Sequence, residues 1–316
     1  MTTPVLTIPH NQRGYTLIEL IVALALGVLI SAAAVQLSFT SQRTFALQQG
    51  AAETQDSGLF GLGYIARNVR MANYGSGRPI INDETPNGGI VLTTLNAPVS
   101  TDLVTKTGGE SNVTFTGSKG SAHLVIQYRA PQDMFDCEGR RVLGPRVLPA
   151  TATDAERPVQ GDLVVERYFL RTDTVTTSNE PSALALACSA GQYNNLIEEK
   201  KDLDWGAAQG QVIMGRVDHF DVRLGVIPNP DMPDQQAYYT IDEYKASAAS
   251  PKPRIVSVQL AVLTRAQSRA AGEAVDADQK YQMFGQDVTL KAAAKGSGFV
   301  RKVYTTTVAL RNGRGE

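Results

Sequence analysis

Between Leu20 and Gln42 the chain has no Asp, Glu, Lys or Arg. It is also poor in histidine, with three in 316 residues, in cysteine, with two, and in tryptophan, with one. Each scarcity excludes something. No CxxC or HxxxH spacing occurs, so no metal-ligand pattern accompanies these residues and no metal is expected. His10 lies in the polar amino terminus. His123 and His219 fall in strand-like segments, where a structural role is expected and His219 takes an outward face. Serine nucleophile elbows, phosphate loops, zinc-protease and EF-hand patterns are missing, so neither catalysis nor a cofactor is expected. The acidic loops "NPDMPD" and "DADQK" lack the glycine and distal glutamate of a calcium loop. "EEKKDLDW", Glu198 to Trp205, reads as a solvated loop. A formal net charge of -1 and a pI near 6.3 leave no basic footprint for nucleic acid.

What is present is concentrated at the amino terminus. Tyr15 to Val35 is long enough to cross a bilayer, which takes about 20 apolar residues. A secretory signal peptide has a shorter apolar stretch followed by a small-x-small cleavage site. Arg13, ahead of the run, favours an inside amino terminus. Two details do not suit a plain anchor. Gly14 stands before the run, and Glu19 lies about one turn inside it, where an ionised carboxylate is costly unless paired. The cysteines, Cys137 and Cys188, suggest a disulfide if the chain is exported and two buried thiols if it is cytosolic. A bridge closing so long a loop contributes about 4 kcal/mol in the chain-entropy model.

"RGYTLIELIVALALG" resembles the class III signal of type IV prepilins: a glycine, an aromatic residue, then Thr-Leu-Ile-Glu and an apolar helix. The resemblance implies cleavage by a prepilin peptidase between Gly14 and Tyr15, and N-methylation of the new amine at Tyr15. It implies that Glu19 pairs with the amino terminus of a neighbouring subunit during assembly. Tyr15 departs from the family's usual phenylalanine but keeps an aromatic ring.

Past the membrane, Leu59, Leu62, Ala66 and Val69 recur at helical spacing, with Ile65 beside them. They predict a continuing helix with an apolar stripe, ending near Asn73 before the turn signals "YGSGRP". Gly50, Gly58, Gly61 and Gly63 weaken that helix, and mark a bend or a close approach. The rest alternates as strands do: "AHLVIQYR", "DLVVERYFLR", "HFDVRLGV", "RIVSVQLAVLTR" and "YTTTVALR". Phe220, Val222, Leu224 and Val226 share one face, as do Val256, Val258, Leu260 and Val262. The expected fold is α+β: one long helix, half in the membrane and half packed on an antiparallel sheet with insertions. "AAGEAVDADQKYQ" reads as a helical or flexible insert.

The segments "FDCEGR", "ERYFLRTD", "LACSAG", "HFDVRLGV", "PRIVSVQLAVLTR" and "TTTVALRN" resemble the PilW group of type IV pilus minor pilins. The resemblance implies residues 1–14 as a cleaved leader, 15–73 as the helix with 15–35 in the membrane, and 74–316 as a β-rich head. It favours the disulfide reading of Cys137 and Cys188. It further implies a single-pass inner-membrane protein with a periplasmic head that later joins the pilus, priming assembly near the tip and supporting twitching motility and adhesion. Other minor pilins, the major pilin, prepilin peptidase and the inner-membrane assembly machinery are the implied partners. A minor pseudopilin of a type II secretion system is the alternative.

Overall fold

A computed structural model describes residues 14–97, 101–115, 117, 120–150, 155–173, 183–193, 204–205, 209–269, 275–276, 278–295 and 298–313. His10, most of the "EEKKDLDW" run and the start of the "AAGEAVDADQKYQ" insert lie outside the described residues. A single 53-residue helix, Leu17–Val69, dominates the molecule. At 1.5 Å per residue it is about 80 Å long, against about 30 Å for the hydrocarbon core of a bilayer. It is long and apolar enough to cross a membrane near its amino-terminal end, and none of its most apolar window is buried within the protein. From Gly50 onward one face is covered by the head, and Leu62, Ile65, Ala66 and Val69 enter the core. Leu59, expected in that stripe, lies outside it and is 57% exposed; its neighbour Phe60 is more exposed still and Tyr64 less so.

The helix ends at Val69, and turns carry the chain to Asn73, whose φ of 69° reverses its direction. Asn73 then fastens the end of the helix. Its Nδ2 donates to the carbonyls of Arg78 at 2.7 Å and Asn312 at 2.6 Å, and its Oδ1 accepts from the Gly89 amide at 3.0 Å.

Two antiparallel sheets receive the helix. The four-stranded sheet has the order Ala237–Thr240, Val217–Ile227, Arg254–Arg269, Phe299–Ala309. Its register sets Phe220 against Val262, Val222 against Leu260 and Leu224 against Val258, so the alternation read from the sequence becomes one continuous apolar face. The six-stranded sheet runs Lys106–Gly109, Ser121–Arg129, Leu163–Thr172, Leu184–Tyr193, with Asp204–Trp205 and Gln211–Gly215 both on the last strand. The main core lies between the helix and these sheets.

The outward face of the four-stranded sheet is not solvated as expected. A three-stranded sheet, Tyr281–Met283, Gln286–Leu290 and Val113–Thr114, covers it and forms a second core with Ala261 and Leu263. His219, paired in register with Leu263, is therefore fully buried and not outward-facing. The six-stranded sheet is covered likewise, with Val125 and Val165 under Val91, Ala97 and Val104.

Of the four glycines in the carboxy-terminal half of the helix three mark close approach, and none is needed for backbone freedom. A Cβ on Gly50 would sit 3.0 Å from Val300 Cγ2, one on Gly58 would enter the Tyr304 ring, and one on Gly61 would strike the flexible end of Met214. Gly63 faces open space. Gly58→Ala should destabilise the head by about 1–3 kcal/mol through overpacking against a rigid ring. Gly63→Ala should stabilise it by up to about 1 kcal/mol through helix propensity alone. Thermal melts of the full chain in detergent should move in these opposite directions.

Candidate functional site

The amino-terminal end of the helix is built by four residues. Gly14, Tyr15 and Thr16 precede the helix, so the Gly14–Tyr15 bond lies in non-helical chain. Thr16 is the N-cap, and with Glu19 it forms a capping box. The Thr16 amide and hydroxyl donate to Glu19 Oε2 at 2.9 and 3.0 Å, and the Glu19 amide donates back to Thr16 Oγ1 at 3.3 Å. The spacing Thr16-x-x-Glu19 carries this signal in the sequence, and reading Glu19 only as a partner for an amine passes it over. Both bonds from Thr16 end on one oxygen; among the described residues none reaches Oε1. Gly14 has no neighbour within 4 Å of a would-be Cβ, and its φ is not in the left-handed region. Nothing in the described fold requires a glycine there.

The second constellation lies at the other end of the helix. Cys137, on the loop between Met134–Phe135 and Arg141–Val142, is disulfide-bonded to Cys188 on a core strand, with Cα atoms 6.1 Å apart. Glu166 sits beside the bond on the same core face as Val164 and Tyr168, wholly buried. Four donors converge on its carboxylate: Tyr168 Oη at 2.5 Å, Tyr128 Oη at 3.0 Å, the Cys137 amide at 3.1 Å and Asn68 Nδ2 at 3.2 Å. Burial pushes the Glu166 pKa up, and the hydrogen bonds from Tyr168, Tyr128 and the Cys137 amide oppose the shift. Asn68 belongs to the last turn of the long helix, so the carboxylate joins helix, sheet and disulfide loop at one point. The loop is further tied to the edge of the Cys188 strand, where Glu138 accepts from the Ala190 amide at 3.1 Å and Arg140 donates to its carbonyl at 2.5 Å. With both sulfurs bonded to each other, the buried Cys137–Glu166–Cys188 group holds no thiolate for a metal.

The strand histidines are structural in their contacts. His219 Nδ1 lies 2.9 Å from Ser111 Oγ and 3.0 Å from Ser121 Oγ, and its ring meets Phe115 edge-on. Burial, reinforced by Lys291, pushes its pKa down to about 3. His123, against Phe169, is pushed down to about 4 by burial and then by Arg167 and Lys106. Of the acidic loops, Asp278 is paired with Lys295 at 2.6 Å.

Comparison with known proteins follows the same two regions. The prokaryotic N-terminal methylation motif matches residues 9–35, and the family model for type IV pilus-assembly protein W matches residues 167–312. A type IV-like pilin from Thermus thermophilus aligns over 83% of this chain and 97% of its own, at 12% identity and a TM-score of 0.37. Among curated proteins none matches. An amino terminus that matches the methylation motif and leads into one long helix, with an antiparallel head packed on it, is the arrangement of a prepilin-type protein. The family match over residues 167–312 of the head supports a type IV pilin-like minor pilin of the PilW type. That family consists of structural subunits.

Two stability predictions arise from this geometry. Both histidines stay neutral in the folded state, well below their ordinary value of 6.5, while the unfolded chain takes up protons there. Their contribution is full above about pH 6.5 and is lost as the pH falls towards 4 and then 3. The melting temperature should drop over that range, and His219→Gln should flatten the slope. Replacing both Cys137 and Cys188 by alanine should cost about 4 kcal/mol, since the bridged residues are 51 apart. Denaturant melts of the double variant and of the reduced wild type should agree.

Proposed function

We propose that the chain is a minor subunit of the type IV pilus that primes assembly near the tip and thereby supports twitching motility and adhesion. In this reading prepilin peptidase removes residues 1–14, and the new amine at Tyr15 is methylated. The helix holds the subunit in the inner membrane with residues 74–316 outside, and other minor pilins and the major pilin join it there through the assembly machinery before it reaches the cell surface. The observation that carries the proposal is Gly14. It is not demanded by the described fold, stands in non-helical chain ahead of the apolar helix, and falls within the matched methylation motif. A glycine with no internal purpose at that place suits the active site of a peptidase.

Glu19 supports the assembly half of the proposal. Its capping role occupies one oxygen and leaves Oε1 for the Tyr15 amine of another subunit. In hydrocarbon each charge alone is expensive, and pairing offsets both. Gly14→Val should accumulate as precursor, read by its size on a gel; normal processing would refute the cleavage site. Glu19→Gln separates cap from charge, because glutamine also completes a capping box. It should be processed normally yet prime as poorly as Glu19→Ala, with loss of surface pili and twitching in a strain carrying it as its sole copy. Wild-type piliation by the glutamine variant would refute the ion pair. Loss of protein secretion with normal piliation on deletion would assign the chain to a secretion system instead.

A further inference from the structure

The described sheet edges are treated unequally. Lys106–Gly109 is four residues long with an irregular register, Gln211–Gly215 is five with another, and Asp204–Trp205 is two. Ala237–Thr240 is four residues and runs straight into the helix Ile241–Ala246. The outer strands of the three-stranded sheet are three and two residues long. Natural sheets blunt their edges in these ways because a long bare edge presents unpaired N–H and C=O groups to any strand that approaches.

Phe299–Ala309 is the exception. It is the terminal strand of the four-stranded sheet and has 11 residues. Its register with the central strand is unbroken from Arg301, opposite Arg265, to Ala309, opposite Ser257. From Val303 to Ala309 the sequence "VYTTTVA" contains no charge, no proline and no glycine, and five of its seven residues are β-branched. We infer that this edge is a strand-addition site, taking an extended, uncharged segment of a different protein as a fifth strand.

The surroundings define the occupant. Tyr304 packs towards the long helix at Gly58 and Val303 against the three-stranded sheet, so each face of the strand has a covering layer and its outer hydrogen-bonding edge is what remains. A helix does not fit such an edge, and main-chain pairing does. Lys302 and Arg311 flank the bare stretch, both exposed, and among the described residues no acid pairs with either, which favours carboxylates at the ends of the incoming segment.

Antiparallel pairing with the same edge of a second copy is excluded by direction. The strand ascends with the helix: Val300 lies at Gly50, Tyr304 at Gly58, and Asn312 bonds the carbonyls of Arg70 and Ala72. Antiparallel self-pairing would point the two apolar helices in opposite directions, which a shared membrane forbids. That step rests on membrane anchoring, whereas the edge itself does not depend on the pilin reading.

The probe is a capped peptide carrying the sequence Val256 to Thr264, the natural antiparallel neighbour of this edge, with an aspartate added at each end. It is titrated into the full chain in detergent, followed by anisotropy and by hydrogen exchange with mass analysis. Saturable binding with slowed exchange confined to peptides covering Val303–Ala309 is expected. Thr305→Lys with Thr307→Lys, both at exposed positions, should weaken binding by about tenfold or more without shifting the melting temperature. Absence of slowed exchange in that segment, or equal binding by the double lysine variant, overturns the proposal. Concentration-dependent dimers that protect the same segment without peptide overturn the choice of occupant. The Gly14→Val and Glu19→Gln results do not bear on either outcome.

Discussion

One helix has to satisfy two environments, and the rest of the structure follows from how it does so. Its first half is apolar on every side, and only lipid or other helices can cover that. Its second half is apolar on a single face, and the head exists in the form it does to cover that face. Glycine makes the fit close: Gly50 and Gly58 let Val300 and Tyr304 reach the helix backbone, at the expense of helix propensity. A helix already fixed by a sheet tolerates that loss; an isolated one would not.

A buried carboxylate then fixes the far end of the helix. Glu166 joins Asn68 of the helix, two tyrosines of the sheet and the amide of a disulfide-bonded residue. A carboxyl group buried without these four partners would be strongly unfavourable. The arrangement is therefore specific: loss of any one partner leaves the buried carboxyl group less satisfied, and the disulfide keeps the loop that supplies the Cys137 amide in place. Asn73 acts in the same sense one turn on, bonding to chain on both sides of the head. These bonds tie the end of the helix to the head at two points.

Much of this was legible in the sequence. Five strands appear where alternation puts them, the helix ends at Val69, four residues short of the expected Asn73, and Cys137 and Cys188 are bonded. What was not legible depends on layers that periodicity along one segment cannot reveal. His219 looked outward because "HFDVRLGV" alternates as a half-buried strand does, but a distant hairpin and Val113 cover its second face. Leu59 fell off the buried stripe because the head sits on a narrower arc of the helix than the spacing allowed. Glu166 shares the apolar face of Val164, Tyr168 and Leu170, so an acid out of pattern was the available signal. The capping box at Thr16 and Glu19 was written in four letters, and it gives Glu19 a task within its own chain in addition to any between chains.

The proposed function requires that the chain leading into this helix start, in the working protein, at a residue made terminal by cleavage. Intact-mass and fragment-ion analysis of the protein extracted from its native membrane tests that most directly. The account predicts a chain that starts at Tyr15 and carries one methyl group on its amine. A chain that retains Met1 to Gly14, or one cut elsewhere, would contradict it.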